Sequence, residues 1–343
     1  MKRVLTYAFL ALTGFFVVAA FAPVQAGSFL TPAIFVVDGG RVEQFTNAGV
    51  FVNQFAINGS GRFPNGAAGM AIDVNGNFFL TDIGNKNVSE FNSNGIFVRT
   101  FGSYGSGNGQ FLNGIGGIAV GVAGNVFVVD AGNHRVQEFS NTGTYLSKFG
   151  TFGSGPGQFQ NPGAIVVNVN NVTLTPTSVT TDDAASGEIW VADGGRVEQF
   201  TNAGVFVNQF AINGGGRFPN GAAGMAIDAG GAFFLTDIAN KDVSVFSSGG
   251  AFLRSFGSYG SSNGQFLNGI GGIAIGRVSG DVWVSDAGNY RVQKFFDNGT
   301  FLQAVGTFGS GPGQFQAPGA IAIRGNVTAC STTLPINFCD DVQ

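Results

Sequence analysis

Six aspartates recur at the ends of short apolar runs: Asp38 in IFVVD, Asp82 in FFLTD, Asp130 in VFVVD, Asp193 in IWVAD, Asp237 in FFLTD and Asp286 in VWVSD. Carboxylates converging from several segments can hold a divalent cation or share a proton, so a ring of them is the first chemistry to weigh. Their neighbours argue for turns instead. The residues that follow read D-x-G-N or D-G-G, with D-I-A-N at Asp237. In such turns an Asp side chain accepts from nearby backbone amides. Arg41, Arg135, Arg196 and Arg291 follow four of the six, which predicts local ion pairs.

Other reactive types are scarce. The chain has one histidine, His134, too few for a histidine metal site. Cys330 and Cys339 have eight residues between them and no C-x-x-C spacing. In an oxidising compartment they form a small disulfide loop pinning the C-terminus, worth about 2.5 kcal/mol. No G-x-S-x-G elbow, phosphate-binding loop or cysteine nucleophile pattern is present. No catalytic residue, metal or cofactor is assigned from these motifs.

Candidate binding residues come from glycine-rich stretches. GSYGSGNGQF, GTFGSGPGQF and GSYGSSNGQF, with GTFGSGPGQF again, present Tyr104, Phe152, Tyr259 and Phe308 among residues too small to bury a ring locally. These rings suit stacking on sugars or anchoring a protein chain; the alternative is packing between structural units. Asn65, Asn113, Asn161, Asn220 and Asn268 precede Gly or Pro, with Ala317 in the sixth place. Turn formation accounts for them, and polar contact with a ligand is the second reading.

The elements that must position these residues repeat. GGRVEQFTNAGVFVNQFAING runs from Gly39 to Gly59 and again, letter for letter, from Gly194 to Gly214, 155 positions on. The Asp-ending runs are 44, 48, 63, 44 and 49 residues apart, giving six units as two copies of a three-unit block with one insertion at 168–187. Within a unit, runs such as NVFVVD, HRVQEF and TYLSKF are separated by Gly and Asn turns. No segment has a convincing 3.6-residue period. Four short strands per unit at this period describe a β-propeller blade. Phe63, Phe111, Phe159, Phe218, Phe266 and Phe315, each two residues after a glycine, recur once per unit and are expected to wedge between blades. The first unit lacks its inner strand, while PGAIAI at Pro318–Ile323 is a spare one, which predicts closure of the ring between the two ends.

Composition limits the partners. Hydrophobic residues make up 44% of 343, enough for a large core, and only 10% are charged. Lys2 and Arg3, the apolar stretch Ala8–Ala22 and Val24-Gln25-Ala26 read as a secretory signal over 1–26. The apolar run is short for a membrane span, so no stable span is expected after cleavage. Net charge is −4, and becomes −6 without Lys2 and Arg3, which argues against nucleic acid as a partner. The expected layout is signal peptide 1–26, propeller 27–325 and tail 326–343. Asn171 and Asn326 fit the N-glycosylation pattern, though the leader looks bacterial.

GNVFVVDAGNHRVQEFSNTGTYLSKFGTFGSGPGQFQNPGAIVV, Gly124 to Val167, resembles an NHL repeat almost throughout, and GDVWVSDAGNYRVQKF from Gly280 is its counterpart. The resemblance implies an all-β, six-bladed propeller over nearly the whole chain. Function is less constrained, because propellers of this kind act as scaffolds, binding modules or enzymes. The resemblance reaches a peptide-amidating lyase with a multi-histidine metal site, whereas His134 here falls in a turn with Tyr290 as its counterpart. Lactonase-like hydrolases, a more distant likeness, use carboxylates in the channel, and here repeat turns, outer strands, the insertion and the tail together account for nearly all carboxylates. The main expectation is a secreted or periplasmic module binding a protein or glycan. The alternatives are a propeller enzyme and a structural cell-surface protein.

Overall fold

The computed structural model describes residues 33–121, 123–168, 188–276 and 279–324. The expected signal peptide, insertion residues 169–187 and the tail with Cys330 and Cys339 lie outside the described residues, as do Asn171 and Asn326. Among the described residues, no helix is long and apolar enough to cross a membrane.

Six antiparallel four-stranded sheets form the blades. From inner to outer strand, blade 1 is Pro318–Arg324, Ala33–Asp38, Arg41–Thr46 and Phe51–Ala56. Blade 2 is Ala67–Ile72, Phe78–Asp82, Asn87–Phe91 and Phe97–Phe101. Blade 3 is Ile115–Val120, Val126–Asp130, Arg135–Phe139 and Tyr145–Phe149. Blade 4 is Pro162–Asn168, Glu188–Asp193, Arg196–Phe200 and Phe206–Ala211. Blade 5 is Ala222–Ile227, Phe233–Asp237, Asp242–Phe246 and Phe252–Phe256. Blade 6 is Ile270–Ile275, Val282–Asp286, Arg291–Phe295 and Phe301–Val305.

Each inner strand packs beside the inner strands of both neighbouring blades, so the six make a ring. Glycine permits the approach: a Cβ on Gly272 would stand 2.5 Å from the Gly319 carbonyl oxygen. The last strand pairs antiparallel with the first, Ile34 opposite Ile323 and Phe35 opposite Ala322. The second strands are the most buried; Phe78–Asp82 and Val126–Asp130 are covered along their whole length. That explains their continuous runs of Val, Phe and Leu instead of strict alternation.

The glycine-linked phenylalanines wedge between adjacent blades. Phe111 lies with Phe79 and Val88 of blade 2 and Val126 and Phe139 of blade 3. Phe315 fills the equivalent place where blade 6 meets blade 1, among Trp283, Val292 and Phe45. Phe63, Phe159, Phe218 and Phe266 occupy the other four junctions. Each is almost fully buried, which contributes about 1.5–3 kcal/mol apiece.

Candidate functional site

Antiparallel alternation sorts the connections onto two faces. The turn between second and third strands and the loop from an outer strand to the next inner strand share one face, called here the loop face. The strand ends at Asn168 and Glu188, which flank the insertion, lie on the opposite face, where they pair with each other.

The six aspartates hold the loop face together and form no metal cluster among the described residues. Asp82 accepts from the amides of Phe63, Gly84 and Asn85 at 2.6, 3.0 and 2.9 Å. Asp38 accepts from the Gln316 and Ala317 amides, tying the incoming loop of the last strand to the first. The expected ion pairs are present: Arg41–Asp38 2.9 Å, Arg135–Asp130 2.7 Å, Arg196–Asp193 3.0 Å and Arg291–Asp286 2.8 Å. Arg135 also donates to the carbonyls of Gly107 and Gln110, so one guanidinium fastens the turn to the loop.

Two blades depart from this arrangement. Asn87 of blade 2 and Asp242 of blade 5 stand where the other four blades have arginine. Asp242 is directly opposite Asp237 in the sheet. Burial, and then the Asp237 charge, push the Asp242 carboxyl up to about 6, while Ser244, Arg217 and Ser255 oppose the rise. Burial also raises Glu43, Glu90 and Glu198, against the pull of Arg41, Arg99 and the Gly157 amide with Arg196 respectively.

The four candidate rings stand out from the loop face. Tyr104 is 62% exposed, Phe152 68%, Tyr259 65% and Phe308 65%, so they do not pack between blades. Their backbones are held: each forms a parallel bridge to the wedge phenylalanine seven residues on, as in Tyr104 with Phe111 and Phe152 with Phe159. The side chains of Gln110, Gln158, Gln265 and Gln314 accept from amides inside the same loops. Phe152 leans on His134 at 4.8 Å and Phe308 on Tyr290 at 4.7 Å. His134 and Tyr290 occupy left-handed turn positions, φ 54° and 55°, so His134 is a turn residue beside a ring.

Asn65, Asn113, Asn161, Asn220 and Asn268 are all exposed. Two of them, Asn161 and Asn220, line one groove of about 490 Å³ in blade 4, with Gly195, Asn213, Phe218 and Pro219. A second hollow of about 350 Å³ shares Gly195 and Asn213 and adds Gln160, Gln209 and Arg196. The signal for this groove in the sequence was a length difference. Asp193-Gly194-Gly195-Arg196 is a two-residue turn, whereas Ala131 to His134 fill the same connection in blade 3. In that longer turn Asn133 reaches across to the Gly105 carbonyl, and Asn289 does the same to Gly260 in blade 6. The two glycines leave this space open, and nothing stands within 4 Å of a Cβ built on Gly194.

The NHL repeat family pattern matches residues 112–139 and 267–295. Among solved structures, a chain of a nidogen/laminin complex is similar with a TM-score of 0.60 and 14% identity over 85% of this chain and 98% of that one. A streptogramin B lyase structure has a TM-score of 0.53 at 11% identity, covering 83% of this chain and 87% of the lyase. A protein of unknown function from Bacteroides caccae has a TM-score of 0.54 at 13% identity, covering 85% and 99%. No curated protein sequence matches. At these identities the solved structures speak for the fold alone. Six four-stranded sheets around a ring of inner strands make the chain a six-bladed β-propeller, and residues 112–139 and 267–295 within it are NHL repeats.

Proposed function

We infer that the protein is a secreted or periplasmic binding module that engages a protein or glycan partner through its loop face. The observation that carries this reading is the set of four exposed rings on loops held by backbone bridges and glutamine caps. An aromatic ring fixed in place loses little conformational freedom on binding and offers a large contact surface. The loops bearing these rings contain no charged residue, which suits a partner recognised by stacking and hydrogen bonding. Support from likeness comes from the nidogen/laminin complex, where a similar fold belongs to a protein assembly. An enzyme reading would place reactive groups in the channel. The inner strands consist of Gly, Ala, Pro, Met, Ile and Val apart from Asn168 and Arg324 at their far ends, which favours binding over catalysis. Export rests on the sequence of residues 1–26.

The test is affinity enrichment from the envelope and culture fluid of the producing organism. Wild type is compared with a variant carrying Tyr104→Ser, Phe152→Ser, Tyr259→Ser and Phe308→Ser. Exposed rings can be removed without disturbing the core, so the variant keeps its melting temperature and loses the partner. Equal recovery of the same partner by both proteins would move the site off these rings.

A further inference from the structure

The groove over the short turn of blade 4 has the chemistry of a site for an uncharged, hydroxyl-rich ligand. Its rim carries five exposed carboxamides: Asn161 and Gln160 from the incoming loop, Asn213 and Asn220 from the outgoing loop, and Gln209 from the outer strand. None of these five side chains has a hydrogen-bond partner among the described residues. A carboxamide presents two donors and an acceptor with two lone pairs, so three around each of the two adjoining hollows, with Asn213 shared between them, can pair with alternating hydroxyl donors and acceptors. Pro219 supplies exposed apolar surface in the hollow that Asn161, Asn213 and Asn220 line.

Beneath the groove two carboxylates, Asp193 and Glu198, share the single guanidinium of Arg196. Asp193 is 3% exposed and accepts from the Gln160 and Asn161 amides and from Arg196. Arg196 also donates to the carbonyls of Ser154 and Gln158 and pairs with Glu198. An anionic ligand would therefore find no free cation here, whereas a neutral one needs none. Resting on the reading that the loop face binds, we propose that the blade-4 groove, lined by Asn161, Asn213, Asn220, Gln160 and Gln209, is a binding site for a neutral glycan.

The duplication supplies an internal control. Blade 1 repeats the turn Gly39-Gly40, the amide Asn58 and the stretch Arg62 to Gly66, but has Ala317 where blade 4 has Asn161. Gly40 and Gly195 are alike in lying under the Asn58 and Asn213 side chains. Blade 1 thus repeats the lining residues short of one carboxamide, and among the described residues blade 4 alone carries all five.

Cellohexaose, maltohexaose and chitohexaose are titrated into the purified protein by calorimetry, with a charged oligogalacturonate as comparison. At least one neutral oligomer binds at one site per chain, and the charged one binds more weakly. Asn161→Ala combined with Asn220→Ala weakens binding about tenfold or more, the loss expected when two hydrogen bonds of ordinary strength are removed. Ala317→Asn raises the stoichiometry from one to two. Binding of no neutral oligomer, preference for the charged one, unchanged affinity in the double variant, or a stoichiometry that stays at one in Ala317→Asn each overturns the assignment. Both amide variants are at exposed positions, and unchanged melting temperatures confirm that they fold. If the four-ring variant loses its enriched partner while the amide variants bind oligomers as wild type does, the groove fails and the loop-face reading stands.

Discussion

Replacing Asp242 by Asn should stabilise the protein, and only above mildly acidic pH. Asp242 faces Asp237 across the strand pair, and Asp237 is already fixed as the acceptor for the Phe218, Ala239 and Asn240 amides. Burial and this neighbour raise the Asp242 carboxyl from 3.8 to about 6. A rise of this size corresponds to about 3 kcal/mol, and partial exposure of the group with screening by Arg217 reduces the retained effect to about 1–2 kcal/mol. The sign follows from proton linkage. Between 3.8 and about 6 the folded state holds the proton more tightly than the unfolded chain, so stability falls as pH rises through that window. Above it the penalty is complete, and below 3.8 it is absent. A neutral carboxamide at this position carries no such penalty, so the variant should melt about 2–5 °C higher at neutral pH and level with wild type near the bottom of the window. Blade 2 offers the reverse experiment, because Asn87 occupies the same place opposite Asp82. Asn87→Asp should lower the neutral-pH melting temperature by a similar amount. Scanning calorimetry across the window checks both; an Asp242→Asn gain that is absent at neutral pH, or equal at acidic and neutral pH, would refute the reasoning.

Phe315→Ala should cost about 3–5 kcal/mol, because it empties the junction between the last and first blades where Phe315 meets Phe45; a denaturant midpoint within error of wild type would contradict this. Deleting residues from Pro318 onward should remove the strand paired with Ala33–Asp38 and abolish cooperative unfolding, and a truncated protein with the wild-type melting temperature would refute that dependence. Cys330 and Cys339 should be joined in the exported protein, and intact-mass measurement finding two free thiols would count against it.

The repeat period, the Gly and Asn turns and the apolar Asp-ending runs were enough to specify six four-stranded blades. Each blade is a local unit, and its strands pair with sequence neighbours. The wedge role of Phe111 and its five counterparts was also legible, since a large ring recurring once per blade beside glycine has few other places to go. Side-chain direction on the loops was not. Whether Tyr104 or Phe152 turned inward or outward depended on the bridge to the wedge phenylalanine and on which space that ring already filled, and both are contacts across blades. The asparagines show the same division. Five were marked by their Asn-Gly or Asn-Pro setting, and Asn161 and Asn220 share a hollow, because the two-glycine turn of blade 4 leaves space between their loops. Gln160 and Gln209 carry no sequence mark of their own, and Asn213, though it precedes a glycine, lies in an A-I-N-G stretch that recurs only at Ala56–Gly59. Sequence alone determined the six repeated blades, since each rests on local pairing, while the ring also needs the long-range pairing of Ala33–Asp38 with Pro318–Arg324. Only the tertiary structure decided which exposed groups face one another, since that depends on the distance between loops from neighbouring blades.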